Sequence, residues 1–276
     1  MTPNDVETVR QLVHARSGVM IDPRKTYPIE TRLAPVARRE GFESIEALIQ
    51  AVRERRDDRL TWGLVEALAP GETSFFRDRA PFETLRNEIL PALAAVRRDR
   101  PIRVWSAACG AGQEAYSLAM ILEDDRSKLQ GAKVELFGSD LSERALEKAQ
   151  SGAYNQFEVQ RGLPIRALVR HFEKSGEMWS LSPRIRQMVR WRRINLLADL
   201  RALGQFDIIF CRYVISHFDA PTRRRVLEQL ARALPNDGWL VLGADESPSG
   251  VTEALRSIAG RPGVFTPNPA YRAAAA

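Results

Sequence analysis

Two residues in this sequence have the types and spacing to do chemistry together: Glu114 and Asp140. Glu114 follows a Gly110-Ala111-Gly112 turn by two residues, and Asp140 closes the apolar run that starts at Val134. A carboxylate at a strand end accepts hydrogen bonds from ribose hydroxyls in doubly wound sheets. A small-residue turn entering a helix lets a ligand approach bare backbone. The turn reads GAGQEA and departs from the dinucleotide pattern GxGxxG, with Ala115 at the third place. A glutamate where pyrophosphate would sit disfavours a dinucleotide and suits a cationic ligand. S-adenosylmethionine, with a ribose, no phosphate, a sulfonium and an ammonium, meets that description. The three histidines (His14, His171, His217) and two cysteines (Cys109, Cys211) show no metal-ligand spacing, so no metal site is expected.

These groups need elements to hold them. The stretch opening with Ile102, Val104 and Trp105 alternates as a strand, small residues follow from Ala107 to Gly112, and Gln113 to Leu122 is an amphipathic helix. Val134 to Ser139 is a second strand ending at Asp140, and Ser142 caps a helix to Ser151. Phe206 to Cys211 and Trp239 to Leu242 are apolar runs, as for strands buried on both faces. Between them Asp219 caps a helix running to Leu234, and Val264-Phe265 forms a last edge strand. Such alternation predicts an α/β fold with a mostly parallel sheet and helices on both faces. Residues 1–69 show only helical periodicity, over 3–17, 26–40, 45–55 and 60–68, and form a small all-helical domain. A linker and connecting helix, with the helix over Pro81 to Arg97, fill 70–100, and the α/β domain occupies 101–276.

An insert of about 155–193 is too long for a simple connection. Arginines at alternate positions over Arg184 to Arg192 predict a strand with one arginine-lined face, in a small antiparallel subdomain. The net charge of +6 has its source here. Residues 1–58 hold ten basic and ten acidic side chains, whereas residues 161–193 hold nine basic and two acidic. No apolar run approaches the ~18–20 residues of a membrane span, and no signal segment opens the chain. A cytoplasmic monomer with reduced core thiols is expected. The basic balance does not indicate nucleic acid. The loop after Cys211 reads RYVISHFD instead of an NPPY type that holds a base, and stacking aromatics beyond Trp191 are lacking.

Several stretches resemble one family. RVWSAACGAGQEAYSLAM is similar to the RxWSAACSTGEEPYSLAM signature of the CheR family of chemotaxis receptor methyltransferases. GETSFFRD resembles that family's NxTxFFR, GSDLSERALEKAQSGAY its second-strand motif, and FCRYVISHFD its CRNVxIYFD. The likeness runs from TRLAPVARREGF to the last strand. It implies a helical N-terminal domain and a class I S-adenosylmethionine-dependent methyltransferase (Rossmann-like) domain with an inserted antiparallel β-subdomain. It also implies methyl esterification of glutamate side chains on the cytoplasmic helices of chemoreceptors. The implied cofactor contacts are Thr73, Arg77, Glu114, Asp140, Asn195, Leu196, Tyr213 and Val214. Arg77 and His217 take the catalytic places. Arg32, Arg38 and Arg39 lie where the family's receptor-binding face is basic. Three positions depart from the pattern: Gly71 stands for the asparagine of NxT, Tyr213 for that of CRN, and His217 for the tyrosine of IYFD. They leave a second reading open, a degenerate member serving as a cofactor-sensing or scaffolding module. The short turn EKSGE implies action independent of a receptor tail peptide.

Overall fold

The computed structural model describes residues 1–271 other than 23, 25 and 56. Two compact units emerge: Met1–Pro70 with Ser216–Thr222, and Gly71–Ile215 with Arg223 onward.

The first unit holds α1 (Pro3–Ser17), α2 (Thr26–Arg39), α3 (Ile45–Arg55) and α4 (Asp58–Leu68). A reciprocal box between Thr2 and Asp5 starts α1, and Gly18 in the left-handed region ends it. Asp57 caps α4 by accepting from the amides of Arg59 and Leu60. The helices meet over an apolar cluster that includes Val36, Leu48, Val52 and Leu60.

The second unit runs α5 (Arg79–Thr84), a π turn (Leu85–Ile89), α6 (Leu90–Val96), β1 (Ile102–Ala107), α7 (Gln113–Asp124), β2 (Val134–Asp140) and α8 (Glu143–Ser151). Then come β3 (Ala153–Asn155), α9 (Gln156–Gln160), α10 (Ile165–His171), β4 (Phe172–Ser175), β5 (Met178–Leu181), α11 (Pro183–Arg186) and β6 (Val189–Arg193). It continues with β7 (Ile208–Phe210), α12 (Ala220–Arg232, whose first turn belongs to the other unit), β8 (Trp239–Val241), β9 (Leu255–Ile258) and β10 (Arg261–Pro267). The main sheet has the order β6-β2-β1-β7-β8-β10-β9, and β10 is antiparallel to both neighbours. The other pairings are parallel. Chain order reverses between β1 and β7, so the crevice at their carboxyl ends is where such sheets bind ligands. This is the α/β fold with a mostly parallel sheet that the alternation predicts.

Four expectations are corrected. The helix over 81–97 is interrupted by a π turn, where the Leu90 amide reaches back to the Leu85 carbonyl. Pro91 has no amide to give and its ring crowds the preceding turn, so the helix widens there. The alternating arginines do not make one strand. Pro183 starts a helical turn instead, and only Val189–Arg193 is extended.

That strand leaves the insert altogether: β6 pairs in parallel with β2 at the edge of the main sheet. The antiparallel sheet is β3-β5-β4, spanning 153–181 in place of 155–193. Its arginine neighbours serve separate partners: Arg186 donates to the Ser151 carbonyl and Arg193 to that of Leu141. Finally, β10 is not the edge, because Leu255–Ile258 pairs outside it. Four residues with two exposed polar ones carry too little pattern to be seen.

Candidate active site

The corner after β1 bends through Ala108, Gly110 and Gly112, all with positive φ. Gly112 has a steric reason as well: a Cβ there would lie 2.8 Å from the Ala149 Cβ and 3.0 Å from the Trp191 ring. Asp140 fastens the corner to the next strand end. One carboxylate oxygen accepts from the Gly110 amide at 2.8 Å, the other from the Ser142 amide at 2.9 Å. The Gly71–Thr73 stretch lies against the same corner. A Cβ added at Gly110 would be 3.1 Å from the Thr73 methyl and 3.5 Å from the Gly71 carbonyl.

Glu114, in the first turn of α7, is buried. It accepts from the Ser106 hydroxyl at 2.8 Å and from Arg212 Nη1 at 3.2 Å. Burial pushes its carboxyl above the usual glutamate range, outweighing the opposite pull of Arg212 and Ser106. Arg212 also donates through Nη2 to the Arg77 carbonyl and to Asp78 Oδ2, at 2.8 and 2.7 Å. A fully enclosed guanidinium thus ties the turn before α5 to the helix after β1.

Arg77 itself is half-buried, donates to the Glu72 carbonyl at 3.2 Å, and lies over the Tyr213 ring with its guanidinium carbon 3.5 Å from the centroid. The Tyr213 hydroxyl donates to Asp78. Tyr213 has φ of 60°, a left-handed conformation costly for a bulky residue. Glu246, itself buried, holds it by accepting from the Tyr213 amide at 2.7 Å and the Gly243 amide at 2.9 Å.

Arg77, Glu114, Tyr213 and the Gly71–Thr73 turn are therefore joined through one network, and Asp140 closes the same corner. Asn195 and Leu196 follow the end of β6, whose Arg193 pairs with Asp140 in register. There the Asn195 side chain accepts from the Leu197 amide, and the buried Leu196 gives its carbonyl to Gln229. Val214 is half-buried next to Tyr213. His217 ends a short 3-10 turn, Ile215–His217, and groups with the helical unit. Its side chain is exposed, and its carbonyl accepts from the Met20 amide.

Arg212 and Glu246 are site residues that sequence reasoning missed. Arg212 lay inside a recognised motif as an unassigned cation at a strand end. A lone glutamate in GADES gives no signal of its target. In the helical unit, Arg32 donates to the Leu68 and Ala69 carbonyls and Arg39 to Glu40, while Arg38 is exposed. Cys109 and Cys211 are free and buried, and burial pushes both thiols well up.

The donor set fits S-adenosylmethionine. Bare backbone at Gly110 and Gly112, carboxylates at Glu114 and Asp140, and a guanidinium at Arg77 suit a diol and a zwitterionic amino-acid end. Gln113 Oε1, buried with no hydrogen-bond partner among the described residues, is a further acceptor at this corner.

A doubly wound sheet with this corner at its switch point defines an S-adenosylmethionine-dependent methyltransferase. Comparison with known proteins then makes the family plain. Residues 71–264 match the family model for the CheR methyltransferase SAM binding domain, and residues 4–68 that for the CheR methyltransferase all-alpha domain. The chain belongs to the CheR methyltransferase family. It is 33% identical over 265 residues to chemotaxis protein methyltransferase Cher2 of Pseudomonas putida, covering 95% of this chain and 96% of that protein. Identity is also 33% with chemotaxis protein methyltransferase 1 of Pseudomonas aeruginosa, at the same coverage. With chemotaxis protein methyltransferase 1 of Vibrio cholerae it is 34%, over 92% of this chain and 93% of that one.

Proposed function

We propose that this methyltransferase esterifies glutamate side chains on methyl-accepting chemoreceptors, as a protein-glutamate O-methyltransferase. The single observation carrying the choice of a carboxylate is Arg77, fixed between the Glu72 carbonyl and the Tyr213 ring at the carboxyl end of the sheet. The likeness to chemotaxis protein methyltransferases supports a chemoreceptor as the protein that bears it.

The cofactor supplies a methyl group made electrophilic by its sulfonium. A glutamate side chain is ionised at neutral pH, so displacement needs no general base. Bound at the β1 corner, the cofactor would offer its methyl carbon to a carboxylate oxygen and keep the displaced electron pair on sulfur. The residues of this chain bind and align. Arg77 pairs with the incoming carboxylate and fixes which oxygen faces the methyl group. Asp140 accepts from the ribose hydroxyls, and Glu114 faces the cationic end of the cofactor. Thr73, Asn195, Leu196, Tyr213 and Val214 complete the cofactor walls, with Gly71 leaving a gap where the family places an asparagine. In the family pattern His217 takes the place of the orienting tyrosine. Arg38 contributes positive charge toward the acidic receptor helices.

Labelled S-adenosylmethionine incubated with receptor-containing membranes tests this reading. Base-labile label on the receptor is the expected result, and its absence with cofactor bound by calorimetry overturns the proposal.

A further inference from the structure

We propose that the cleft between α5, the end of α7 and α10 is a second docking surface for the methyl-accepting protein. Its occupant is an acidic segment of that substrate carrying an apolar side chain. The inference rests on the reading of the substrate as a protein carboxylate.

The cleft has a volume of about 540 Å³, with Phe76, Phe82 and Ile121 in its lining and arginines at 79, 86, 166 and 170 around it. Two of these arginines are engaged: Arg86 pairs with Asp125, and Arg170 lies 3.2 Å from Asp124. Arg79 and Arg166 are exposed and have no ion pair or side-chain hydrogen bond among the described residues. Arg79 opens α5 and Arg166 is the second residue of α10. The first turn of a helix favours negative charge, so local stability gives no reason for a cation at either place. Both are available to carboxylates from outside.

The apolar side of the occupant is also specified. Within the lining, Phe76 is half-buried and gives the occupant an aromatic ring to pack against.

Residues on either side of Arg77 in the chain, Phe76 and Arg79, belong to the cleft lining. Phe76 and Asp78 both have positive φ, at 46° and 51°, so the chain turns sharply around Arg77. Phe76 and Arg79 line the cleft while Arg77 turns to Tyr213. A polypeptide whose glutamate meets Arg77 can therefore run on into the cleft.

The test is the double variant Arg79→Glu with Arg166→Glu, assayed with a purified receptor cytoplasmic fragment and labelled cofactor. We expect the KM for the fragment to rise about tenfold, with kcat and cofactor affinity unchanged and a shallower dependence of KM on salt. An unchanged KM and salt slope overturns the inference. A second measurement stands apart from transfer: anisotropy of a labelled peptide with two glutamates flanking a leucine. Binding to the wild type and not to the variant supports the cleft. Equal binding, or none, overturns it. A wild type that binds the peptide but labels no receptor overturns the proposed function and leaves the cleft as a peptide site.

Discussion

The guanidinium of Arg77 lies flat on the ring of Tyr213, 3.5 Å away, while the Tyr213 hydroxyl is spent on Asp78. Tyr213 stands where the family pattern has an asparagine, and its ring supports the Arg77 guanidinium. Arg77→Ala should lower methyl transfer by two orders of magnitude or more, in the range seen when one positioned donor is lost. Its thermal midpoint should hardly move, since the side chain is half-exposed. Tyr213→Phe keeps the ring and should cost little, whereas Tyr213→Ala should lower kcat/KM about tenfold. Steady-state kinetics with labelled cofactor checks all three.

Glu246 holds the left-handed turn at Tyr213 by accepting from two amides, that of Gly243 buried and that of Tyr213 partly so. Removing it strands both, at about 1–3 kcal/mol each. Glu246→Ala should therefore lose stability in chemical denaturation and also weaken turnover, through Arg77. Glu246→Gln retains an acceptor oxygen and should recover part of both.

The raised carboxyl of Glu114 gives the site a pH dependence. As pH falls, Glu114 takes a proton before ordinary glutamates do, and Arg212 loses one of its two counter-charges. Cofactor affinity, followed by calorimetry across pH, should decline at a pH above the usual carboxylate range. Glu114→Gln should bind weakly and show no such decline.

Asp207 should dominate acid stability. It is fully buried and accepts from Arg97, from both Nη atoms of Arg100, and from the Arg103 amide. Burial alone would raise its carboxyl, but the Arg100, Arg103 and Arg97 bonds together hold it below the usual value. A carboxyl depressed in the folded state stabilises above its unfolded pKa, and that stability is lost as pH falls through the folded one. Asp207→Asn should cost about 3–5 kcal/mol at neutral pH, because two arginines lose a buried partner. The variant should also lose less stability than the wild type on acidification, as read by urea melts at several pH values.

Gly138 lets Trp191 of β6 lie across β2, since a Cβ there would come within 2.3 Å of the indole. Gly138→Ala should destabilise by about 1–3 kcal/mol. It should also loosen the β2–β6 edge that precedes Asn195, seen as faster amide exchange over 189–196.

By itself the sequence determined the order of elements, because helix caps and hydrophobic period are local. Ser142 and Asp219, read as caps from the sequence, accept from amides in the first turns of their helices, and the β1 corner and the Asp140 strand end were legible from residue type and spacing. The family pattern located Arg77, Glu114 and Tyr213. Tertiary structure decided what those residues do to one another. The arginines over 184–192 look like one face of a strand until Pro183 and parallel pairing with β2 divide them between a helical turn and a sheet edge. Asp140 can read as ligand acceptor or cap from its position, and its two amide bonds show it holding the corner. Arg212 with Glu114, and Glu246 with Tyr213, join residues 98 and 33 positions apart. A buried charge takes whichever partner the fold brings within reach, and no local pattern records that choice.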